Sequence, residues 1–403
     1  MSGTVIIGAS HSGITLADLL RKGDYNEDIY IIDKENHFPI ERPPLSKSFL
    51  YDKEDFLENK ILLRSEEWYQ TNKIKCSFGI EVLKIDRDNN QIILSDGNSL
   101  KYKNLVLALG ATPKLLPESI SNYSNYYVLR SLNDAKKIRS CIKSGSHAAV
   151  IGGGYIGLEI ASSLKKFGYN VDIIEMAERL LARVASPELS KYFLNLHKKN
   201  NINVFCSSAV DSIHKNEKFE ILFDKNKKLN SEIVIVGIGV LPNVNLAEEA
   251  GLKCRDGIIV NKNYLTSDNN IFAIGDCALN KDEFSVRIES VHNAQFSASR
   301  VASYILGVEH KGFEVPWFWS DQFDIKLQSA GLYKNGSITI TRKGKREGSK
   351  SWWSFDKNKL VCIEAVNDPQ SFMIARQILQ KNICIEIDQI RNNNTDLKSL
   401  LKS

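Results

Sequence analysis

Glycine spacing is the first sign of chemistry in this chain. GASHSG (Gly8–Gly13) and GGGYIG (Gly152–Gly157) each follow a short apolar run and open a helical pattern. In such a loop the first glycine makes a tight turn, the second lets the backbone approach a pyrophosphate, and the third lets helix pack closely on strand. The phosphates then rest on free amides at the helix N-terminus. The second motif is complete: Gly152, Gly154 and Gly157, with Tyr155 and Ile156 between them. In the first, Gly8 and Gly13 are kept, Ser10 replaces the middle glycine, and His11 and Ser12 complete the loop. A serine there either crowds the pyrophosphate or donates a hydrogen bond to it.

An acid at the end of the following strand, ~20 residues on, completes these sites by holding a ribose hydroxyl. Glu175 stands there for the second motif; Asp33, with Glu35 close by, stands there for the first. A carboxylate at 175 repels a 2′-phosphate and so favours NADH over NADPH. Arg179 and Arg183 lie just downstream and pull the other way, because arginine is what a 2′-phosphate site uses. Two nucleotides on one polypeptide imply electrons passing between them, which points to a flavin fed by a nicotinamide.

The elements that must hold these loops read as two βαβ units. The first runs through the strand Val5–Gly8, the helix Gly13–Lys22 and the strand Ile29–Asp33. The second starts at AAVIGGG and runs through the helix Gly157–Phe167 to a strand ending at Glu175. From Pro316 the pattern changes to aromatic-rich alternation, closing with a helix around Ser371–Gln380. The expected fold class is α/β: two Rossmann-like dinucleotide-binding domains, for FAD and NAD, plus a C-terminal α+β domain. The FAD-binding domain takes residues 1–112 and 243–315, the NAD-binding domain 113–242, and the C-terminal domain 316–403.

At 403 residues, 43% hydrophobic and 25% charged, the composition is that of a globular protein. A net charge of +5 is too weak to imply nucleic acid, and suits an acidic protein partner. The longest apolar runs fall far short of the ~20 residues that span a bilayer, so no membrane partner is expected. The first strand begins near Val5, leaving no room for a signal peptide, and the cytoplasm is the default location. Seven scattered cysteines without a CxxC pair predict reduced thiols, not disulfides or zinc, and no histidine pair has metal-ligand spacing, so no metal is expected. The lysine- and arginine-rich stretches Lys225–Lys228 and Arg342–Arg346 read as solvated turns.

ERPPLSK (Glu41–Lys47), LRSLNDA (Leu129–Ala135), EMAERLLARV (Glu175–Val184), Thr266–Ala278, RIESVHNA (Arg287–Ala294) and PWFWSDQ (Pro316–Gln322) occur in this order. Together they resemble the oxygenase-coupled ferredoxin reductases, the group of putidaredoxin and rubredoxin reductases among the glutathione-reductase-like flavoproteins. The resemblance covers nearly the whole chain. It implies FAD contacts at Ser12, Asp33 or Glu35, Lys47, Val82, Arg130, Asp276 and Val291. Arg42, Ala108 and Gly275 join the FAD set, and Arg183 and Gly239 the nicotinamide set. It also implies Lys47 beside the flavin N5 and paired with Glu159, where a cation stabilises an anionic reduced flavin. Trp319 matches an aromatic that lies by the flavin where the iron–sulfur partner docks, although clustered aromatics more often build cores. The bland alternatives are an ordinary surface lysine at 47 and a solvated helix charge at 159. Ser10, Thr112 in place of arginine, and Asp33-Lys34 in place of Gly-Asp depart from the family pattern.

Absent thiols narrow the reaction. Disulfide reductases of this superfamily need cysteine beside the flavin, yet ERPPLSK has none, and Cys277 has no partner nearby in sequence. The expected activity is ferredoxin–NAD(+) reductase: NADH to FAD, then single electrons to a 2Fe-2S ferredoxin or similar acidic carrier that serves an oxygenase or cytochrome P450. The alternatives are a rubredoxin or monodehydroascorbate-type reductase, or a redox-sensing flavoprotein similar to apoptosis-inducing factor. Monomer and homodimer both remain open.

Overall fold

The computed structural model describes residues 3–51, 58–142, 146–284, 286–310 and 312–401. The chain divides into two compact units. One comprises Met1–Glu41, Leu57–Thr112 and Val240–Glu314; the other comprises Arg42–Phe56, Pro113–Gly239 and Val315–Ser403.

In the first unit, five parallel strands lie in the order Ile271–Ala273, Asn104–Leu107, Thr4–Ile7, Ile29–Asp33 and Ile74–Phe78. Parallel neighbours need a crossover, and the helix His11–Lys22 supplies the first one. Every residue of Thr4–Ile7 is buried, as a sheet covered on both faces demands, which is why Val5, Ile6 and Ile7 follow one another without polar alternation, while the buried Thr4 hydroxyl bonds that of Tyr25. The helix Val291–Leu306 packs against His11–Lys22. Val82–Asp86, Gln91–Leu94 and Ser99–Lys101 form a separate antiparallel sheet.

The second unit repeats the plan with four parallel strands: Ile202–Phe205, Asn170–Ile174, His147–Ile151 and Ile233–Val236. The helix Tyr155–Phe167 makes its crossover. This unit also holds a five-stranded antiparallel sheet, ordered Trp317–Gln322, Ile325–Gly331, Lys359–Val366, Lys350–Asp356 and Ile338–Lys343. The helix Pro369–Lys381 packs on that sheet, and Trp353 lies fully buried in the shared core with Phe372. Asp368 caps this helix by accepting from the Ser371 amide, and Asn382 ends it in the left-handed region at φ +53°. The α/β class, with two Rossmann-like domains and a C-terminal α+β domain, is what the structure contains.

Three local expectations need correction. The two loop helices start at His11 and Tyr155, not at Gly13 and Gly157. The third glycine belongs inside the first turn, where a Cβ would lie 2.1 Å from the carbonyl oxygen of Gly8 or of Gly152. Arg342 is no solvated turn residue. It is 5% exposed, and its guanidinium donates to the carbonyls of Ile390, Asn392, Asn393 and Thr395, tying down the chain end. Residues 225–228 are solvent-exposed as expected, with Lys225 in a turn, but Lys227 and Lys228 lie on the strand Lys227–Ser231, the Lys227 ammonium over the rings of Phe205 and Phe223. Among the described residues no helix is long and apolar enough to cross a membrane.

Candidate functional site

The two glycine loops agree contact by contact. Gly8 has φ +108° and Gly152 φ +109°, values only glycine adopts readily. A Cβ at Gly8 would sit 2.2 Å from the Ala108 carbonyl oxygen, and one at Gly152 would sit 2.4 Å from that of Gly237. The next amide donates to the strand-end acid in both: Ala9 to Asp33 Oδ2 at 2.6 Å, Gly153 to Glu175 Oε2 at 2.5 Å. The second oxygen of each acid takes the amide two residues on, Glu35 at 2.8 Å and Ala177 at 2.7 Å.

Asp33 is therefore the counterpart of Glu175. Glu35 is turned to His37, whose Nε2 lies 3.2 Å from Glu35 Oε2. Gly154 is informative in a different way. Its φ is −78°, and a Cβ there would meet nothing nearer than the Gly237 oxygen at 4.0 Å. Neither backbone conformation nor packing requires glycine at that point. Ser10, at the same place in the first loop, is extended at φ −104° without strain.

Arg179 is consumed internally. Its guanidinium donates to the carbonyls of Ala185 and Ala182, each at 3.0 Å, and to Ser190 Oγ at 2.6 Å. Arg183 instead lies across Gly239, where a Cβ would come within 2.9 Å of its Nη2. Ile156 is 48% exposed beside the loop, while the Tyr155 ring packs on Phe318 with centroids 4.5 Å apart.

In the first unit, Gly275 has φ +70° and a Cβ on it would lie 2.9 Å from Ser12 Oγ, so the Gly-Asp step presses against the loop helix. Asp276 follows in a single 3-10 turn, and its carbonyl accepts from Arg287. Val291 opens its helix, and Val82 opens a strand at 8% exposure. In the second unit, Arg42 Nη1 donates to the Arg130 carbonyl at 2.7 Å, while the Arg130 amide bonds Asp134, the acid of the Ser131 capping box.

Lys47 follows a 3-10 turn that starts at Pro43, and its Nζ donates to Glu159 Oε2 at 2.6 Å. Glu159 is 3% exposed and Lys47 16%, so neither is a surface charge. The same oxygen takes Ser46 Oγ at 2.5 Å; the other takes Ser320 Oγ at 2.7 Å. Trp319 points away from Ser320 on the same strand, partly exposed, with its ring 5.8 Å from that of Trp317.

Residues 3–298 match the pyridine nucleotide-disulphide oxidoreductase family, and residues 317–401 match the reductase C-terminal family. The chain belongs to the pyridine nucleotide-disulphide oxidoreductases, among the ferredoxin reductases. It is 34% identical over 399 residues to rhodocoxin reductase of Rhodococcus erythropolis, covering 98% of this chain and 93% of that one. Putidaredoxin reductase of Pseudomonas putida is 33% identical over 407 residues, covering 98% and 96%. The reductase also superposes on the crystal structure of the covalent putidaredoxin reductase–putidaredoxin complex. The TM-score is 0.95 at 32% identity, over 100% of this chain and 98% of that one.

Despite the disulphide in its family name, this reductase has all seven cysteines unpaired. Cys277 is fully buried, its thiol pushed up to about 11 by burial, and Sγ is spent on the Leu107 and Ile274 carbonyls. It is inert.

Sequence reasoning missed Ser46, Ser320, Gln322 and His197. The last was set aside with the other histidines, yet its Nε2 meets Gln322 Oε1 at 2.9 Å in the buried interior. One signal was available: period-two alternation in WFWSDQ puts Ser320 and Gln322 on one strand face, opposite the tryptophans.

Proposed function

We propose that the reductase binds FAD through residues 1–112 and 243–315 and NADH through residues 113–242. Electrons then pass singly to a small, acidic 2Fe-2S ferredoxin that serves an oxygenase or cytochrome P450. The observation that carries this reading is the bond-for-bond repetition of two dinucleotide cradles in a chain with no paired thiol. When bound, FAD supplies the conversion between a two-electron donor and one-electron acceptors.

The chain's own residues bind, orient and tune. Asp33 and Glu175 hold the two riboses, on the support of their matching contacts. With Arg179 committed to its own loop, Glu175 is free to reject a 2′-phosphate, which favours NADH. Lys47 provides a fixed positive charge for the flavin, held by Glu159. Ser12, Arg42, Val82, Ala108, Arg130, Asp276 and Val291 serve FAD, and Arg183 and Gly239 serve NADH. Trp319 and the residues of 316–403 receive the carrier; the name of the superposed complex supports that class of partner. We place the reductase in the cytoplasm, where seven unpaired thiols are at home.

The test is direct. Purified protein should carry one FAD per chain, and anaerobic NADH should bleach it faster than NADPH does. Protein that binds no FAD when reconstituted, or that ignores NADH, overturns the reading.

A further inference from the structure

The ion pair of Lys47 and Glu159 ends a longer file of buried polar side chains. Glu159 Oε1 meets Ser320 Oγ at 2.7 Å, Ser320 Oγ meets Gln322 Nε2 at 3.2 Å, and Gln322 Oε1 meets His197 Nε2 at 2.9 Å. Glu159, Ser320, Gln322 and His197 are 3%, 1%, 1% and 0% exposed.

Chemistry fixes the direction of every bond. A carboxylate accepts only, so the single Ser320 hydrogen goes to Glu159. Ser320 must then accept, which turns the Gln322 amide nitrogen toward it and the Gln322 oxygen toward His197. That oxygen has no hydrogen to give, so His197 carries its proton on Nε2. Burial pushes His197 down to about 4, which leaves a neutral ring with Nδ1 bare. Nδ1 is buried and has no hydrogen-bond partner among the described residues.

The file is built by two elements that run in step. Tyr155 packs on Phe318, Glu159 bonds Ser320, and the Phe323 amide donates to Ser162 Oγ at 2.7 Å. Four helical residues advance about 6 Å and two strand residues about 6.6 Å, so Tyr155 and Glu159, four apart on the helix, meet Phe318 and Ser320, two apart on the strand. Phe323 closes the strand at φ +56°, its ring edge-to-face with His197.

We propose that Ser320, Gln322 and His197 are positioning residues for flavin reduction: a one-way file of donated hydrogen bonds that turns the Glu159 carboxylate toward Lys47 and fixes the ammonium at one point. This rests on the reading of Lys47 as the cation that serves the flavin. Without the file, Glu159 keeps Lys47 and Ser46 on one oxygen but loses the contact that sets the plane of the carboxylate.

Two measurements on the FAD-loaded protein test it. Nitrogen-15 spectra of histidine-labelled protein, with His197 assigned from the signal lost in His197→Gln, should show the neutral ring protonated on Nε2. Stopped-flow bleaching by anaerobic NADH should be slowed about tenfold in Ser320→Ala, with the NADH dissociation constant within about twofold of the parent and the rate largely restored in Ser320→Thr. A proton on Nδ1 of His197, an unslowed Ser320→Ala, or equal loss of rate and NADH affinity without rescue by threonine each overturns the proposal. If Ser320→Ala does not fold, the His197 tautomer decides on the parent protein alone. Failure of the functional reading looks different: the parent itself is not bleached by NADH, while the His197 signal is unaffected.

Discussion

Lys47 Nζ lies 2.6 Å from Glu159 Oε2, joining positions 112 residues apart in a site where both side chains are largely shielded from water. Removing one member of such a pair strands the other charge, at a cost of about 3–5 kcal/mol, whereas replacing both with apolar groups costs far less. Lys47→Met should therefore destabilise the protein by about 3 kcal/mol, the low end because Lys47 keeps 16% exposure, and Lys47→Met with Glu159→Leu should recover only part of that, because the buried Ser46 and Ser320 hydroxyls then lose the Glu159 acceptor. Denaturant titration of the three variants checks it. In the FAD-loaded protein, Lys47→Met should slow flavin bleaching more than it loosens FAD; equal losses would reduce Lys47 to a structural residue.

Glu175 and Arg179 should separate cleanly. Glu175→Ala removes the carboxylate expected to oppose a 2′-phosphate, so the NADH-over-NADPH ratio of kcat/KM should fall by about tenfold or more. Arg179→Gln should leave that ratio unchanged and lower the Tm, since its donors serve Ala182, Ala185 and Ser190. A changed ratio in Arg179→Gln would mean that its guanidinium leaves those partners for the nucleotide.

Gly152 and Gly154 are required for different reasons, and alanine tells them apart. Gly152→Ala forces a Cβ against the Gly237 oxygen at a φ of +109° and should cost stability outright. Gly154→Ala meets no protein atom closer than the Gly237 oxygen at 4.0 Å and should shift stability by less than about 1 kcal/mol while weakening NADH binding about tenfold or more. By the same logic Ser10→Gly should tighten FAD. Weaker FAD binding in that variant would make the serine a hydrogen-bond donor to the cofactor.

Glu364 makes stability depend on pH. It accepts from the amide and hydroxyl of Ser186, the cap of the helix Pro187–Lys199, and burial pushes it up to about 7 from an ordinary 4.5. A raised acid favours the folded state below its unfolded value, and that contribution is lost as pH climbs through the folded value. The parent should lose about 3 kcal/mol of stability between pH 4.5 and 7.5 from this group. Glu364→Gln should flatten that window, measured as the Tm difference across it; a slope unchanged by the substitution contradicts the assignment.

What could be read from sequence follows from what is local. Gly8 and Gly152 answer to a positive φ, Gly13 and Gly157 to a carbonyl a few residues back, and Asp33 and Glu175 are reached at the end of the next strand, so the loops were legible. Lys47 and Glu159 were legible only through resemblance, because nothing in either segment announces the other. For Ser320 and Gln322 the sequence showed no more than a shared strand face, and for His197 nothing: packing of a C-terminal strand on two helices brings them together, and serine and glutamine have no motif of their own. Arg342 was misread for a related reason. A basic run suggests solvent, and only the return of the chain past Ile390 supplies the four carbonyls that bury it.

The measurement that bears most directly on the central claim is electron stoichiometry with a carrier. FAD-loaded protein, mixed anaerobically with NADH and an excess of an acidic 2Fe-2S ferredoxin, should reduce two ferredoxins for each NADH consumed, with Trp319→Ala slowing that step and leaving NADH-driven bleaching intact. Consumption of NADH without ferredoxin reduction, or a long-lived reduced protein that no carrier reoxidises, would contradict the account.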